Sequence, residues 1–255
     1  MPFTPAHPAI LLPFRSFKKL KLSWTALIIG SIVPDLEYFV WLSPSAYISH
    51  TLTGIFLFNL PMTVILAFAW NGILFPVIRP RINCIKSSVT LEYYPKFHEW
   101  MARNWVMFFT SAIVGILSHL VWDSFCHANG YMVHRIPYLL NTEHIWKYDI
   151  RRCYLLWYAS TIIGGIIMLL WFIDLKKVFS ATTWKIFFQG SAIWLKILIV
   201  AGIICATRIA MGLSWNWTRH LVIIVLGGLF YSTMLVCWWE LRQIRRKLWQ
   251  KAGMQ

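Results

Sequence analysis

The chain has 255 residues, of which 58% are hydrophobic and only 13% charged, with a mean hydropathy of +0.60. A soluble domain carries about a quarter charged residues, so this composition excludes an ordinary soluble protein and indicates an integral membrane protein. The formal net charge of +15 sits mostly in short gaps between apolar runs, as in positive-inside loops, and no basic stripe interleaves with exposed aromatics as a nucleic-acid module requires.

The N-terminus, MPFTPAHPAILLPF, has no basic residue before Arg15 and no small-residue cleavage site. It does not read as a cleaved signal peptide. Residues 5–14 are too short to span a bilayer, which takes roughly 20 apolar residues. Arg15, Lys18, Lys19 and Lys21 follow, and then a second apolar run, LSWTALIIGSIV, ends at Pro34-Asp35. This pattern predicts a helical hairpin with RSFKKLKL as its turn. An antiparallel hairpin brings its open ends together, so His7 and Asp35 meet across 28 positions of sequence.

The next apolar stretch, Thr51 to Ile78, contains Pro61. Proline is tolerated in the first turn of a helix and kinks an interior. A short segment near 47–59 and a spanning helix from Leu60 to Ile78 are therefore expected. Four further runs, 105–126, 154–175, 192–213 and 220–240, qualify as spans without interruption. The predicted fold class is all-α: a polytopic membrane protein of about six membrane segments, counting the short hairpin. Residues 1–175 form the core that holds the candidate site, and 176–255 add two transmembrane helices and a basic tail. That tail, with Arg242, Arg245, Arg246, Lys247 and Lys251, is expected on the cytoplasmic side. Alternation places the basic 79–103 and 176–185 loops on the same side, and 128–153 opposite, although that loop carries Arg135, Lys147, Arg151 and Arg152. In either orientation Asp35, Glu37 and His50 lie on the side where the 105–126 helix ends.

That helix ends in SHLVWDSFCHANG. Residues four apart drift about 40° per step around a helix, so Ser111, Gly115, His119, Asp123 and His127 form one small-to-polar stripe. Imidazoles and carboxylates four apart on a helix can reach a single ion, as in the paired-histidine helices of metalloproteases. They are ordinary ligands for zinc, manganese or iron. The alternative is that these groups satisfy one another at a helix end. Ionisable groups at membrane depth cost several kcal/mol each and usually mark function, which favours a site. Asp35 is either a helix N-cap or a ligand. Glu37 points away from Asp35 on a helix and is a candidate general base. His50 is an interfacial histidine or a ligand. His7 is a ligand only through the hairpin.

Other polar groups read differently. His134, Glu143, His144 and Asp149, and Glu92, His98 and Glu99, lack ligand-like spacing and read as solvated. Ser160 and Thr161 are expected to bond backbone carbonyls within their helix. Arg208 either snorkels or holds a lipid phosphate. The five cysteines are scattered, with no C-x-x-C pair, which excludes a cysteine-based zinc knuckle.

Four motifs resemble a family of bacterial membrane proteins of uncharacterised activity. They are Met1-Pro2-Phe3-Thr4-Pro5-Ala6-His7, Gly30-Ser31-Ile32-Val33-Pro34-Asp35-Leu36-Glu37-Tyr38-Phe39, Ser49-His50-Thr51 with Gly54 and Leu60-Pro61, and the stretch from His119 to His127. The resemblance covers about residues 1–175. That family is distantly similar to inner-membrane proteins labelled membrane-bound metal-dependent hydrolases, and these faintly resemble zinc-dependent phospholipases C. The resemblance implies a metal site built from His7, Asp35, His50, His119, Asp123 and His127, and hydrolysis of a phosphoester. It also implies a multi-pass protein of the bacterial inner membrane.

These readings converge on a membrane-embedded metal-dependent hydrolase. Zinc is the default ion, with manganese or iron as alternatives, and Asp35 and Glu37 are the candidate proton-transfer groups. Membrane lipid is the expected surrounding, and a lipid or lipid-linked phosphoester the expected substrate, with no nucleic-acid partner. The rival classes are a transporter or proton relay using the same cluster, and a non-catalytic bundle stapled by metal. Oligomeric state, metal count and the membrane face of the site are not legible in the sequence.

Overall fold

The computed structural model describes residues 4–16, 21–82, 84, 94, 96–178, 180–212 and 217–251. It is a helical protein, and among the described residues five helices are long and apolar enough to cross a membrane: Leu52–Arg81, Phe97–Cys126, Arg152–Phe172, Ser191–Ala210 and Thr218–Gln250. The all-α polytopic expectation holds. The departure from it is a small antiparallel hairpin, β1 (Thr142–Ile145) and β2 (Tyr148–Arg151), within a loop read from sequence as solvated. His144 and Asp149 on that hairpin are exposed and pair with each other at 2.8 Å.

The chain divides into two compact units. The first comprises Met1–Asp35, Ile48–Val64 and Met101–Phe172. It opens with a 3-10 helix, Thr4–Ser16, in place of an α-helix. Pro8 and Pro13 lie inside it; each lacks an N–H and fixes φ near −65°, which suits the tighter helix. The turn residues Phe17 to Leu20 lie outside the described residues, as do Met1 to Phe3. Helix α1 (Trp24–Trp41) follows. Helix α2 runs unbroken from Leu52 to Arg81, so the expected break before Leu60 is absent. A wider π-type turn at Ile55–Asn59, where Leu60 N–H reaches back to Ile55 O, absorbs the donor that Pro61 lacks.

Helix α3 (Phe97–Cys126) bends at Asn104, whose φ of −124° and ψ of 24° leave the helical region. The expected span began at residue 105, just past this bend. His98 and Glu99 lie before it on an exposed face, with Glu99 3.1 Å from Lys96. After α3 come the short helix α4 (Tyr131–Arg135), the hairpin, and α5 (Arg152–Phe172). In α5, Ser160 and Thr161 both donate to Trp157 O, as expected for hydroxyls inside an apolar helix.

Two close approaches shape this unit. A Cβ at Gly115 of α3 would strike Leu27 O and Ser31 N of α1, and one at Gly30 would strike Ala112 O. Only glycine permits backbones this near. The 3-10 helix packs on α5, where a Cβ at Gly164 would come within 3.0 Å of Ala6, tighter than ordinary contact.

The second unit comprises Leu36–Tyr47, Ile65–Trp100 and Ile173–Gln255. Helices α6 (Leu175–Val178) and α7 (Ala181–Gln189) lead into α8 (Ser191–Ala210), which packs along α9 (Trp217–Lys251). Val77, Ile193, Ile197, Val236 and Cys237 form its buried core. Arg208 Nη1 donates to Gly212 O at 2.8 Å, and its Nη2 lies 3.2 Å from His220 Nε2.

Candidate metal centre

The stripe on α3 is the backbone of the site, and every step along it meets the first unit's other elements. Ser111 Oγ accepts from Ser23 N at 2.9 Å. One turn on, Gly115 admits α1. A further turn on, His119 Nδ1 lies 2.8 Å from Ser31 O. A carbonyl only accepts, so the proton is on Nδ1 and the Nε2 lone pair is left for the interior. Pro34, inside α1, has no N–H to donate to Gly30 O.

Asp35 is fully buried in the turn that follows. Thr4 Oγ1 donates to its Oδ2 at 2.8 Å, which fixes the carboxylate and turns Oδ1 toward α3. His50 is held from the other side. Thr51 caps α2 by accepting Gly54 N–H at 3.0 Å and donating to Ile48 O at 2.7 Å. A Cβ at Gly54 would collide with Ile48 O, so this turn requires glycine. Within it, Ser49 Oγ lies 3.0 Å from His50 Nδ1, and Asn59 Nδ2 donates to Ser49 O at 2.8 Å. The π-type turn ending at Asn59 thus supports the loop that carries His50.

The side chains converge on one point. His119 Nε2 lies 3.6 Å from Asp35 Oδ1 and 3.5 Å from Asp123 Oδ2. His50 Nε2 lies 3.7 and 3.6 Å from the same two oxygens. His127 Nε2 is 3.4 Å from Asp123 Oδ2, and His7 Nε2 is 3.6 Å from Asp123 Oδ1. The His7 ring also stacks on His119, with centroids 3.8 Å apart. One ligand atom each from Asp35, His50, His119 and Asp123 lies within 4.8 Å of all the others, a grouping that could hold a metal ion. His7 and His127 flank it through Asp123.

Two features fit this donor set to a cation. His7 Nε2, Asp35 Oδ1, His119 Nε2 and Asp123 Oδ1 are buried and make no hydrogen bond. Such atoms are costly to leave unpaired. Their spacings are also wrong for hydrogen bonds, which run about 2.7–3.2 Å. Donors placed about 2.0–2.2 Å from a tetrahedral ion are separated from each other by about 3.3–3.6 Å, close to the spacings observed here. Two carboxylates inside an apolar bundle need positive charge between them. The cluster is closed at Asp35 and His119 and open at His50 and His127, whose side chains are 28% and 38% exposed.

All six expected ligands therefore lie within 3.7 Å of a carboxylate or imidazole of the same cluster. Glu37 is differently employed. It is buried, and its Oε1 accepts from Tyr47 N at 2.9 Å, securing the chain beyond α1. Thr4, Ser49 and Asn59 carry no ligand-like spacing in the sequence, because their hydroxyl and amide groups act through contacts made only on folding.

A sequence model of one protein family, described as Domain of unknown function (DUF4184), matches residues 1–238. The chain belongs to this family. The DUF4184 match covers every residue of the cluster and runs on through α8 and most of α9, well past residue 175, where the resemblance read from the sequence ends. No curated protein and no solved structure matches the chain.

Proposed function

We propose that this DUF4184 protein is a membrane-embedded, metal-dependent hydrolase. The observation that carries the reading is the meeting of one ligand atom each from Asp35, His50, His119 and Asp123, carried by three separate segments, within 4.8 Å of one another. Asp35, His50, His119 and Asp123 would hold the ion, with His7 and His127 beside it. Imidazole nitrogen and carboxylate oxygen suit zinc first, then manganese or iron. A divalent ion there supplies Lewis acidity and lowers the pKa of water. The chain's own residues divide the remaining work. Ser31 O and Ser49 Oγ orient His119 and His50 through their Nδ1 atoms. Asp35 is better placed than Glu37 to take a proton, since Glu37 is committed to Tyr47. The opening beside His50 and His127 is where a substrate would enter.

A lipid or lipid-linked phosphoester is the proposed substrate class. The support is position: Asp123 lies one turn from the end of an apolar candidate span, and a bilayer around that span would put the cluster near one membrane face. The test is elemental mass spectrometry of the detergent-purified protein, with Asp123→Ala and His50→Ala as comparators, followed by a phosphoester screen of the metal-loaded wild type. Near-stoichiometric metal in the wild type, lost in both folded variants, together with turnover that follows the metal, is expected. A folded wild type that takes up neither zinc nor manganese sinks the hydrolase and leaves proton relay as the better reading. Full metal without turnover of any phosphoester removes the substrate class and favours the stapled-bundle reading.

A further inference from the structure

The segment from Tyr131 to Arg151 is not needed to build the metal cluster, yet it has a definite surface. In an antiparallel pair, residues directly opposite share a face and alternate residues change face. The register pairs Glu143 with Ile150 and Ile145 with Tyr148 on one face, and Thr142 with Arg151 and His144 with Asp149 on the other. The hairpin is thus two-sided. One side carries Ile145, Tyr148 and Ile150, and Trp146 stands at the tip. Trp146 is 82% exposed, Tyr148 65% and Ile145 46%. Trp146 has a φ of 58°, a left-handed conformation that a tryptophan rarely takes in a turn.

The charges on this segment are sorted. Its two acids are engaged internally: Asp149 with His144, and Glu143 with Arg152. Lys147 lies over the Trp146 ring and Arg135 over the Tyr131 ring. Cations and exposed rings are therefore presented together, the arrangement that suits the headgroup layer of a membrane. Both ends of the segment are fastened to candidate spans, since His127 follows α3 and Arg152 opens α5. Strands of four residues extend only about 13 Å, so the hairpin stays close to the surface from which it emerges. The cations in a loop that alternation assigns to the non-cytoplasmic side then have a use.

We propose that this hairpin is a membrane-seating element, with Ile145, Trp146 and Tyr148 in the interfacial layer and Lys147 and Arg135 on the phosphates of anionic phospholipids. The proposal is independent of the metal reading, and its test needs no metal. The full-length protein is labelled with 5-fluorotryptophan and placed in nanodiscs of phosphatidylcholine, with or without phosphatidylglycerol. The Trp146 fluorine resonance is assigned by its loss in Trp146→Phe, and unchanged remaining resonances certify the fold. The expected result in anionic discs is loss of the Trp146 line to a lipid spin-labelled near the headgroup, and persistence of the line against a soluble gadolinium chelate. Lys147→Glu combined with Arg135→Glu should restore loss to the chelate. Loss to the chelate with persistence beside the spin-labelled lipid, in both lipid compositions, places the hairpin in water and overturns the proposal. Shielding that ignores both phosphatidylglycerol and charge reversal overturns the anionic-lipid assignment.

Discussion

The two units each bury ionisable groups among apolar helices and treat them in opposite ways. In the second unit the charges close on one another. Glu240 receives Lys196 Nζ at 2.6 Å and Arg81 at 3.7 Å, Arg81 also donates to Val77 O at 2.6 Å, and His220 Nε2 reaches Leu42 O at 3.0 Å. In the first unit, Asp35, Asp123 and the histidines approach no nearer than 3.4 Å, and four of their atoms make no hydrogen bond. A closed network stiffens a bundle. An open one with the same residue types keeps binding capacity in reserve, and this contrast separates a structural polar cluster from a candidate site.

The comparison can be broken most decisively at Asp123. Asp123→Asn is expected to weaken metal binding by at least about 100-fold, or about 2.7 kcal/mol, read by elemental mass spectrometry at graded free metal. The metal-bound wild type should also unfold at a higher temperature than the variant, and chelator should remove most of that difference. A difference that survives chelator in full would mean that the cluster is structural, like that of the second unit.

Glycine substitutions sharpen the contrast at the level of packing. Gly115→Ala drives a methyl into Leu27 O and Ser31 N and should cost about 1–3 kcal/mol, with weaker metal binding because the contact of His119 with Ser31 O moves. Gly202→Ala in α8 meets nothing within 4 Å and should be neutral or stabilising by up to about 1 kcal/mol. Equal effects in thermal unfolding would refute the tight α1–α3 crossing.

Thr4→Val removes the hydroxyl that fixes Asp35 while keeping the side chain's shape. Metal affinity should fall about 10-fold, with the unfolding midpoint in chelator unchanged. The smallest effect belongs to the second unit. Glu240→Gln should cost about 1 kcal/mol or less, since Lys196 is half exposed, and should leave metal content untouched. Metal loss in that variant would erase the distinction between the two clusters.

The parts of the site that the sequence revealed are those governed by local periodicity. Ser111, Gly115, His119, Asp123 and His127 had to share a stripe because an α-helix repeats every 3.6 residues, and a chain this apolar had to span. The proximity of His7 to the cluster followed from hairpin topology. The break expected before Leu60 failed because a single wide turn can accommodate Pro61, and nothing local to that proline distinguishes a kink, a break and a π-type turn.

Composition and helical period by themselves determined that this protein is a helical membrane protein with one polar stripe on its third long helix. The tertiary structure alone decided which carboxylate joins that stripe. Asp35 and Glu37 are two residues apart in one helix, and Thr4 Oγ1 holds the first while Tyr47 N holds the second. It also decided the tautomer of His119, through a carbonyl 88 positions away. Such choices depend on how closely Gly30 and Gly115 let two backbones approach, a property of the pair of helices that neither sequence segment carries alone.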